Sequence, residues 1–122
     1  MTYERIALDG ALVMAPREAR IDMSNADAFK DALLESVTLA SKVMIVDLSS
    51  IEYISSAGLR SLMIAFKAAK AEQKTMAMAA LRPLTQEIFA ISRFNIVFTL
   101  FDDVRDALAR LAPDVVAEFD AL

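Results

Sequence analysis

Apolar and polar positions along the chain change period several times, and each change marks an element. Ile6, Leu8, Leu12 and Met14 lie on either side of Asp9-Gly10. Both residues of that dipeptide tolerate positive φ, so the spacing predicts an antiparallel hairpin closed by a two-residue turn. After Ile21 the segment Ser24-Asn25-Ala26-Asp27 reads as a helix start, with Ser24 as cap and Asp27 at the positive end. Phe29, Leu33 and Val37 then recur at i, i+4, i+8, which predicts one apolar helical face. The uninterrupted run Val43 to Val46, ended by Asp47, predicts a short strand buried on both faces.

The connection SSIEYISSAGL follows and leads into a second helix, whose apolar face is Leu59, Leu62, Met63 and Phe66. Thr75 to Leu81 is the next strand candidate, although Met and Ala are poor strand formers. Pro83 suits the first position of a helix that would bury Leu84, Ile88 and Ile91. Ile96 to Phe101 reads as a β-branched and aromatic strand. Asp102 or Asp103 would then cap a last helix carrying Val104, Leu108 and Leu111, and Pro113 would stop it. Strands alternating with helices predict an α/β fold: a four- to five-stranded mixed sheet with an antiparallel edge hairpin, flanked by about four helices.

The expected division is one domain over residues 1–112 and a tail over 113–122. In that tail Val115, Phe119 and Leu122 recur at helical spacing. The plainer reading is a short extra helix covering the core. The other is a docking stripe for a second protein or a second copy of the chain.

Composition narrows the function. A hydrophobic share of 57% with 25% charged residues supports a packed core and not a disordered chain. The net charge of −4, with Lys and Arg scattered, argues against a nucleic-acid partner. Cys and His are both absent, which removes disulfides, the best zinc ligands and the usual Ser-His or Cys-His nucleophile pairs. No apolar run approaches the ~20 residues that span a bilayer, so no membrane insertion is expected, and the chain reads as cytoplasmic. Neither glycine belongs to a phosphate-binding loop, and the acidic residues show no metal-loop spacing, so no cofactor or metal is expected.

Five positions hold candidate chemistry. Ser56 precedes the strongest amphipathic helix, where unpaired N–H groups and the helix dipole favour a phosphate. Ala57 and Gly58 beside it are small enough for a macromolecule to approach the backbone. Local sequence alone favours a plainer role, in which Ser55 or Ser56 only caps the helix. Asp22 is, by the same reasoning, a turn or cap residue, and Asp47 an acceptor for loop amides. Met76 and Met78, at period two, read as sheet residues of the core.

Two stretches shift these odds. VMIVDLSSIEYISSAGLRSLMIAFKAAK, residues 43–70, resembles the strand, Asp-X-Ser connection and Ser-Ser/Ala-Gly-Leu helix start of the STAS domain, a module shared by sulfate transporters and anti-sigma-factor antagonists. RIDMSNADAFKDAL, residues 20–33, is similar to the segment before that family's first helix. The resemblance runs from Ile6 to Leu111. It implies a non-catalytic regulator. The family's phosphoacceptor serine, two residues before the motif glycine Gly58, falls on Ser56, and the residue before it, often Asp, is Ser55. The aspartate that engages a kinase partner falls on Asp22.

The implied partner surface comprises Asp22, Ser24, Asn25, Ser55, Ser56, Ala57, Gly58, Leu59 and Arg60. The implied partners are a GHKL-type serine kinase that doubles as an anti-sigma factor, and a PP2C-type phosphatase; ATP and magnesium belong to the kinase. The chain itself is expected to be a monomer or weak homodimer. An alternative implication is a non-catalytic subunit of a lipid- or anion-transport assembly. Two departures stand out: Ala19 and Arg93 occupy positions where the family often has glycine, and Asn95 is the residue expected to supply the left-handed turn in place of the second.

Overall fold

The structure is a computed structural model describing residues 1–122. Two strands open the chain, β1 (Tyr3–Leu8) and β2 (Ala11–Pro16), paired antiparallel with Leu8 opposite Ala11. Only Gly10 of the turn takes a positive φ, at 106°, while Asp9 does not. Glycine is therefore the residue that closes this hairpin, because a side chain is strained there.

The remaining elements follow in order: β3 (Arg20–Ile21), α1 (Ala26–Leu39), β4 (Val43–Asp47), β5 (Tyr53–Ile54), α2 (Ser56–Ala71), β6 (Thr75–Ala79), α3 (Pro83–Ile91), α4 (Phe94–Val97), β7 (Leu100–Phe101), α5 (Val104–Leu111) and α6 (Val116–Asp120). A 3-10 turn over Pro113–Val115 joins the last two helices. The main sheet has five strands in the order β1-β2-β4-β6-β7, parallel except for the β1–β2 hairpin. The expected mixed sheet with an edge hairpin is what forms, and β4 lies at its centre.

Strand alternation sends successive side chains to opposite faces. Leu12, Met14, Met44, Val46, Met76 and Met78 face α1, α2 and α3, where they join Phe29, Leu33, Leu62 and Phe89 in a core of 22 buried residues. Ala11, Val13, Val43, Ile45, Ala77 and Ala79 face the other way and meet Ala107, Leu108 and Val115 in a second core of nine. Met76 and Met78 are thus core residues on one sheet face. The strand ends at Ala79, short of the expected Leu81, because Ala80 turns the backbone to φ 63°.

Three expectations about the third helical region are corrected. α3 buries Thr85 and Phe89, not Leu84 and Ile91, which stand 49% and 83% exposed; Ile88 is half-buried. Thr85 Oγ1 donates to Ile51 O at 3.3 Å, which fixes that face inward. Residues 96 and 97 belong to helix α4, and only Leu100 and Phe101 form a strand. Phe94 and Phe98, at i, i+4, both reach Phe89, with ring centroids 6.2 Å away in each case. That aromatic cluster outweighs the β propensity of Ile96 and Val97. Arg93 itself takes the left-handed conformation, at φ 61°, so Asn95 is not needed for the turn.

α5 is capped as expected by Asp103, which accepts from Asp106 N at 2.7 Å. In the tail, Val115 is buried and Phe119 half-buried against the second core, whereas Leu122 is exposed. Glu118 Oε1 accepts from Asp9 N at 2.9 Å, and Arg105 makes two bonds of 3.0 Å to the Asp120 carboxylate. No helix is long and apolar enough to cross a membrane.

Candidate functional site

A feature too short for periodicity to reveal builds the site. β3 and β5 form a separate two-stranded parallel sheet, with Arg20 beside Tyr53 and Ile21 beside Ile54. Ser55 N extends the ladder to Ile21 O at 2.8 Å, and Glu52 N bonds Ala19 O at 2.7 Å. The Arg20 guanidinium lies over the Tyr53 ring, 4.4 Å from its centroid. Residues 22 and 55 follow the two strands directly. The loop that starts α1 and the loop that starts α2 therefore leave the sheet side by side.

The first loop is organised by Asp22. Its Oδ1 accepts from Ser24 Oγ at 2.6 Å and from Ser24 N at 2.9 Å. The Ser24 hydroxyl and then the Ser24 amide hold the Asp22 carboxyl below the ordinary carboxylate range, with desolvation opposing them and the Arg20 charge adding a lesser pull in the same direction. Asn25 Oδ1 accepts from Asp22 N, and its Nδ2 donates to Arg20 O, each at 2.9 Å. Asn25 occupies the N-cap position of α1 without capping it through its side chain. Ser24 is not the cap either, since its hydroxyl is committed to Asp22. Met23, at the tip of this loop, is 89% exposed. Sequence reasoning passed over it; an apolar residue inside the polar run Asp22-Met23-Ser24-Asn25 was the available signal.

The second loop divides its two serines. Ser55 is the N-cap of α2, and its Oγ accepts from Gly58 N at 3.4 Å. Ser56 is the first helical residue and is exposed, its hydroxyl making no hydrogen bond within the chain. The cap role that competed for both serines belongs to Ser55 alone. Arg60, one turn on from Ser56, is also exposed and forms no ion pair. Ala57 is half-buried.

Gly58 and Leu59, by contrast, are both buried, beneath the exposed residues of this loop. A Cβ on Gly58 would come within 2.6 Å of Ile54 Cγ1 and 2.7 Å of Ile21 Cγ2. The glycine admits the miniature sheet beneath the helix; it does not open the backbone to a macromolecule. Leu59 belongs to the main core. Ser61 Oγ donates to Ala26 O at 2.8 Å, tying α2 to the first residue of α1. Asp47 takes the plainer role expected of it, accepting from Ser49 N at 3.0 Å.

The resulting surface carries an ionised carboxylate at Asp22, a free hydroxyl at Ser56 and a cation at Arg60. No group of three or more acidic side chains converges to hold a metal.

The sequence profile of the STAS domain matches residues 4–107. BtrV of Bordetella bronchiseptica, assigned to the anti-sigma factor antagonists, is 30% identical over 109 residues, covering 89% of this chain and 90% of BtrV. The crystal structure of an anti-sigma factor antagonist from Mycobacterium paratuberculosis superposes with a TM-score of 0.80 at 25% identity, over 90% of this chain and 92% of that one. A Thermotoga maritima protein assigned to the same group has a TM-score of 0.80 at 14% identity, over 89% and 93% of the two chains, a likeness of fold. The chain belongs to the STAS domain family.

Proposed function

We propose that the chain is an anti-sigma-factor antagonist, a cytoplasmic non-enzymatic regulator switched by phosphorylation of Ser56. In the unphosphorylated state it binds a GHKL-type serine kinase that also acts as an anti-sigma factor, and phosphorylation releases it. A PP2C-type phosphatase restores the binding form. The observation that carries this reading is the division of labour between the serines: Ser55 holds the helix, which leaves Ser56 free for modification.

The surface offered to the kinase is Asp22, Met23, Ser24, Asn25, Ser55, Ser56, Ala57 and Arg60, with Gly58 and Leu59 beneath it as support. A phosphate on Ser56 adds about −1.5 to −2 charges at neutral pH. The α2 N-terminus and Arg60 can solvate part of that charge, so the domain tolerates it. A partner pressed onto the same surface must desolvate the dianion next to the Asp22 carboxylate, which costs several kcal/mol. A loss of ~2.7 kcal/mol already weakens binding about a hundredfold.

The test incubates the chain with its kinase and ATP, maps the phosphate by mass spectrometry and measures affinity by calorimetry before and after. Phosphate is expected on Ser56, with affinity falling at least about tenfold. Ser56→Asp should reproduce part of the loss, Ser56→Ala should stay in the binding form, and Asp22→Ala should weaken binding while leaving the fold intact. Phosphate on Ser55 or Ser49, or unchanged affinity once Ser56 is modified, would overturn the mechanism.

A further inference from the structure

The two edges of the main sheet differ in length and in protection. β7 forms one edge with two residues, whereas β1 forms the other with six and pairs with β2 alone. Arg17 N donates to Thr2 O at 2.8 Å, which extends the hairpin ladder by one bonded pair. Bonded and non-bonded pairs alternate in an antiparallel ladder, so Thr2, Glu4, Ile6 and Leu8 bond inward to β2. Tyr3, Arg5 and Ala7 therefore turn their N–H and C=O groups away from the sheet, and no backbone group elsewhere in the chain meets them. The strand also lacks the usual defences of an edge: its register runs without a bulge, and it holds neither proline nor lysine. Its two charges are drawn back onto the chain itself. Arg5 Nε donates to Ser36 Oγ at 2.9 Å and its Nη1 to Glu35 Oε1 at 3.2 Å, while Arg17 Nη2 donates to Glu4 Oε2 at 3.1 Å. An unpaired edge of this kind is a template for another strand.

We propose that this edge pairs antiparallel with β1 of a second copy of the chain, joining two five-stranded sheets into one. Donors and acceptors at every second residue fit an extended backbone, which presents its own at the same spacing. Side chains select the copy and the register. A two-fold axis at Arg5 would oppose two guanidinium groups, and an axis at Ile6 would set Glu4 against Leu8 of the copy. An axis at Ala7 sets Ile6 against Leu8 of the copy and the small Ala7 against its own equivalent, and it brings Arg5 opposite Asp9 of the copy. Ile6 and Leu8 both pack against the smaller core, so this register continues an apolar face across the junction. Asp9 is exposed just past the end of β1, and its carboxylate forms no ion pair within the chain. Like charges stay apart and opposite charges meet, the self-complementarity that an isologous contact needs.

The rest of the domain leaves room for the copy. α1 packs against β2. The two β2 strands would stand three strand spacings apart, about 14 Å. Packed helices need only about 8–10 Å, so the two α1 helices do not collide. The overlap runs from Arg5 to Asp9, short of a standard interface of roughly 800 Å² per partner, so the pair is weak and reversible. This edge uses neither Ser56 nor Asp22 and stands independently of the switch proposed for them.

Sedimentation velocity on the full chain over a concentration series tests for the dimer. A monomer–dimer equilibrium is expected, with a dissociation constant on the order of 100 μM. Ala7 is exposed, so Ala7→Lys should leave the thermal melt unchanged while setting two like charges at the axis. Dimerisation should then weaken by about tenfold or more. Asp9→Lys should weaken it as well, by facing Arg5 of the copy with a second cation. Cross-linking reads the register, because the chain has no cysteine of its own. Opposed residues of a bonded pair have Cα atoms about 5.5 Å apart, within the ~4.4–6.8 Å that a disulfide spans. Ala7→Cys should therefore link two copies under mild oxidation. Glu4→Cys should not, since the two Glu4 positions are offset by roughly six residues, or about 20 Å. A chain that stays monomeric to roughly 1 mM overturns the proposal. So does a dimer indifferent to both lysine variants, or Glu4→Cys that links as readily as Ala7→Cys.

Discussion

The two faces of the sheet are built differently. The face toward α1, α2 and α3 is lined by methionine, leucine and valine and belongs to a core of 22 buried residues; the face toward α5 and the tail is lined largely by alanine and valine over a core of nine. Large side chains keep three helices interlocked at a distance, while small ones let one helix and a short tail lie close. The loops of the candidate site start α1 and α2, so they stand on the thicker side. The thinner side is closed in part by residues 108–122, beyond the stretch that matches the STAS profile. The lesson is that one face positions the site and the other mainly seals the sheet.

A matched pair of truncations probes that contrast most strongly. Leu62 and Leu108 are both fully buried helical leucines, one on each face. Leu62→Ala should cost toward the upper part of the ~2–5 kcal/mol range for such cavities, and Leu108→Ala toward the lower part, because fewer fixed neighbours hold its cavity open. Urea melts decide the matter; a larger loss at Leu108 would reverse the assignment of thick and thin faces.

A smaller effect is expected at Gly58. Its added methyl must displace Ile21 and Ile54, both buried, so Gly58→Ala should destabilise by about 1–3 kcal/mol, reduced by the ~1 kcal/mol that alanine gains in a helix. Amide chemical shifts at Asp22 and Ser55 should move with it. Wild-type stability and shifts would mean that the miniature sheet yields easily.

The smallest effect tests the tail. Asp120 is held below the ordinary carboxylate range by its hydrogen bonds to Arg105 and by the guanidinium charge. A carboxyl whose folded pKa is depressed contributes stability above its unfolded value, and that contribution fades as pH falls through the lowered folded value. Acid should therefore loosen α6 below the ordinary carboxylate range, and Asp120→Asn should remove this part of the pH dependence. Hydrogen exchange of the Ala121 and Leu122 amides across an acid series measures it; identical profiles for the variant and wild type would leave the ion pair without a role in holding the tail.

Long periodic segments were legible in the sequence because burial enforced their period. Phe29, Leu33 and Val37 in α1, and Val43 to Val46 in β4, occupy the positions that their spacing predicts. The α3–α4 region was not legible in the same way. Leu84, Ile88 and Ile91 carry a valid helical period, but tertiary contacts turn Thr85 and Phe89 inward instead. Phe94 and Phe98 held a competing helical spacing that runs into what looked like a strand from Ile96 to Phe101. At the site, resemblance pointed to Ser56 and Asp22. Which serine caps α2 depends on backbone geometry, with Ser55 at φ −83° and ψ 172° and Ser56 already helical, and two adjacent serines look alike in a sequence. The β3–β5 pairing escaped notice because two residues per strand show no alternation.

That pairing has an energetic consequence for any encounter. Because the Ser55 amide is bonded to Ile21 O and Ser61 Oγ to Ala26 O, the two loops share one frame and cannot be ordered separately. The conformational entropy of arranging Asp22 beside Ser56 is thus lost when the chain folds, not when a partner arrives. An interface that starts from a fixed surface keeps more of its contact energy as affinity. A modest patch of side chains can then support binding.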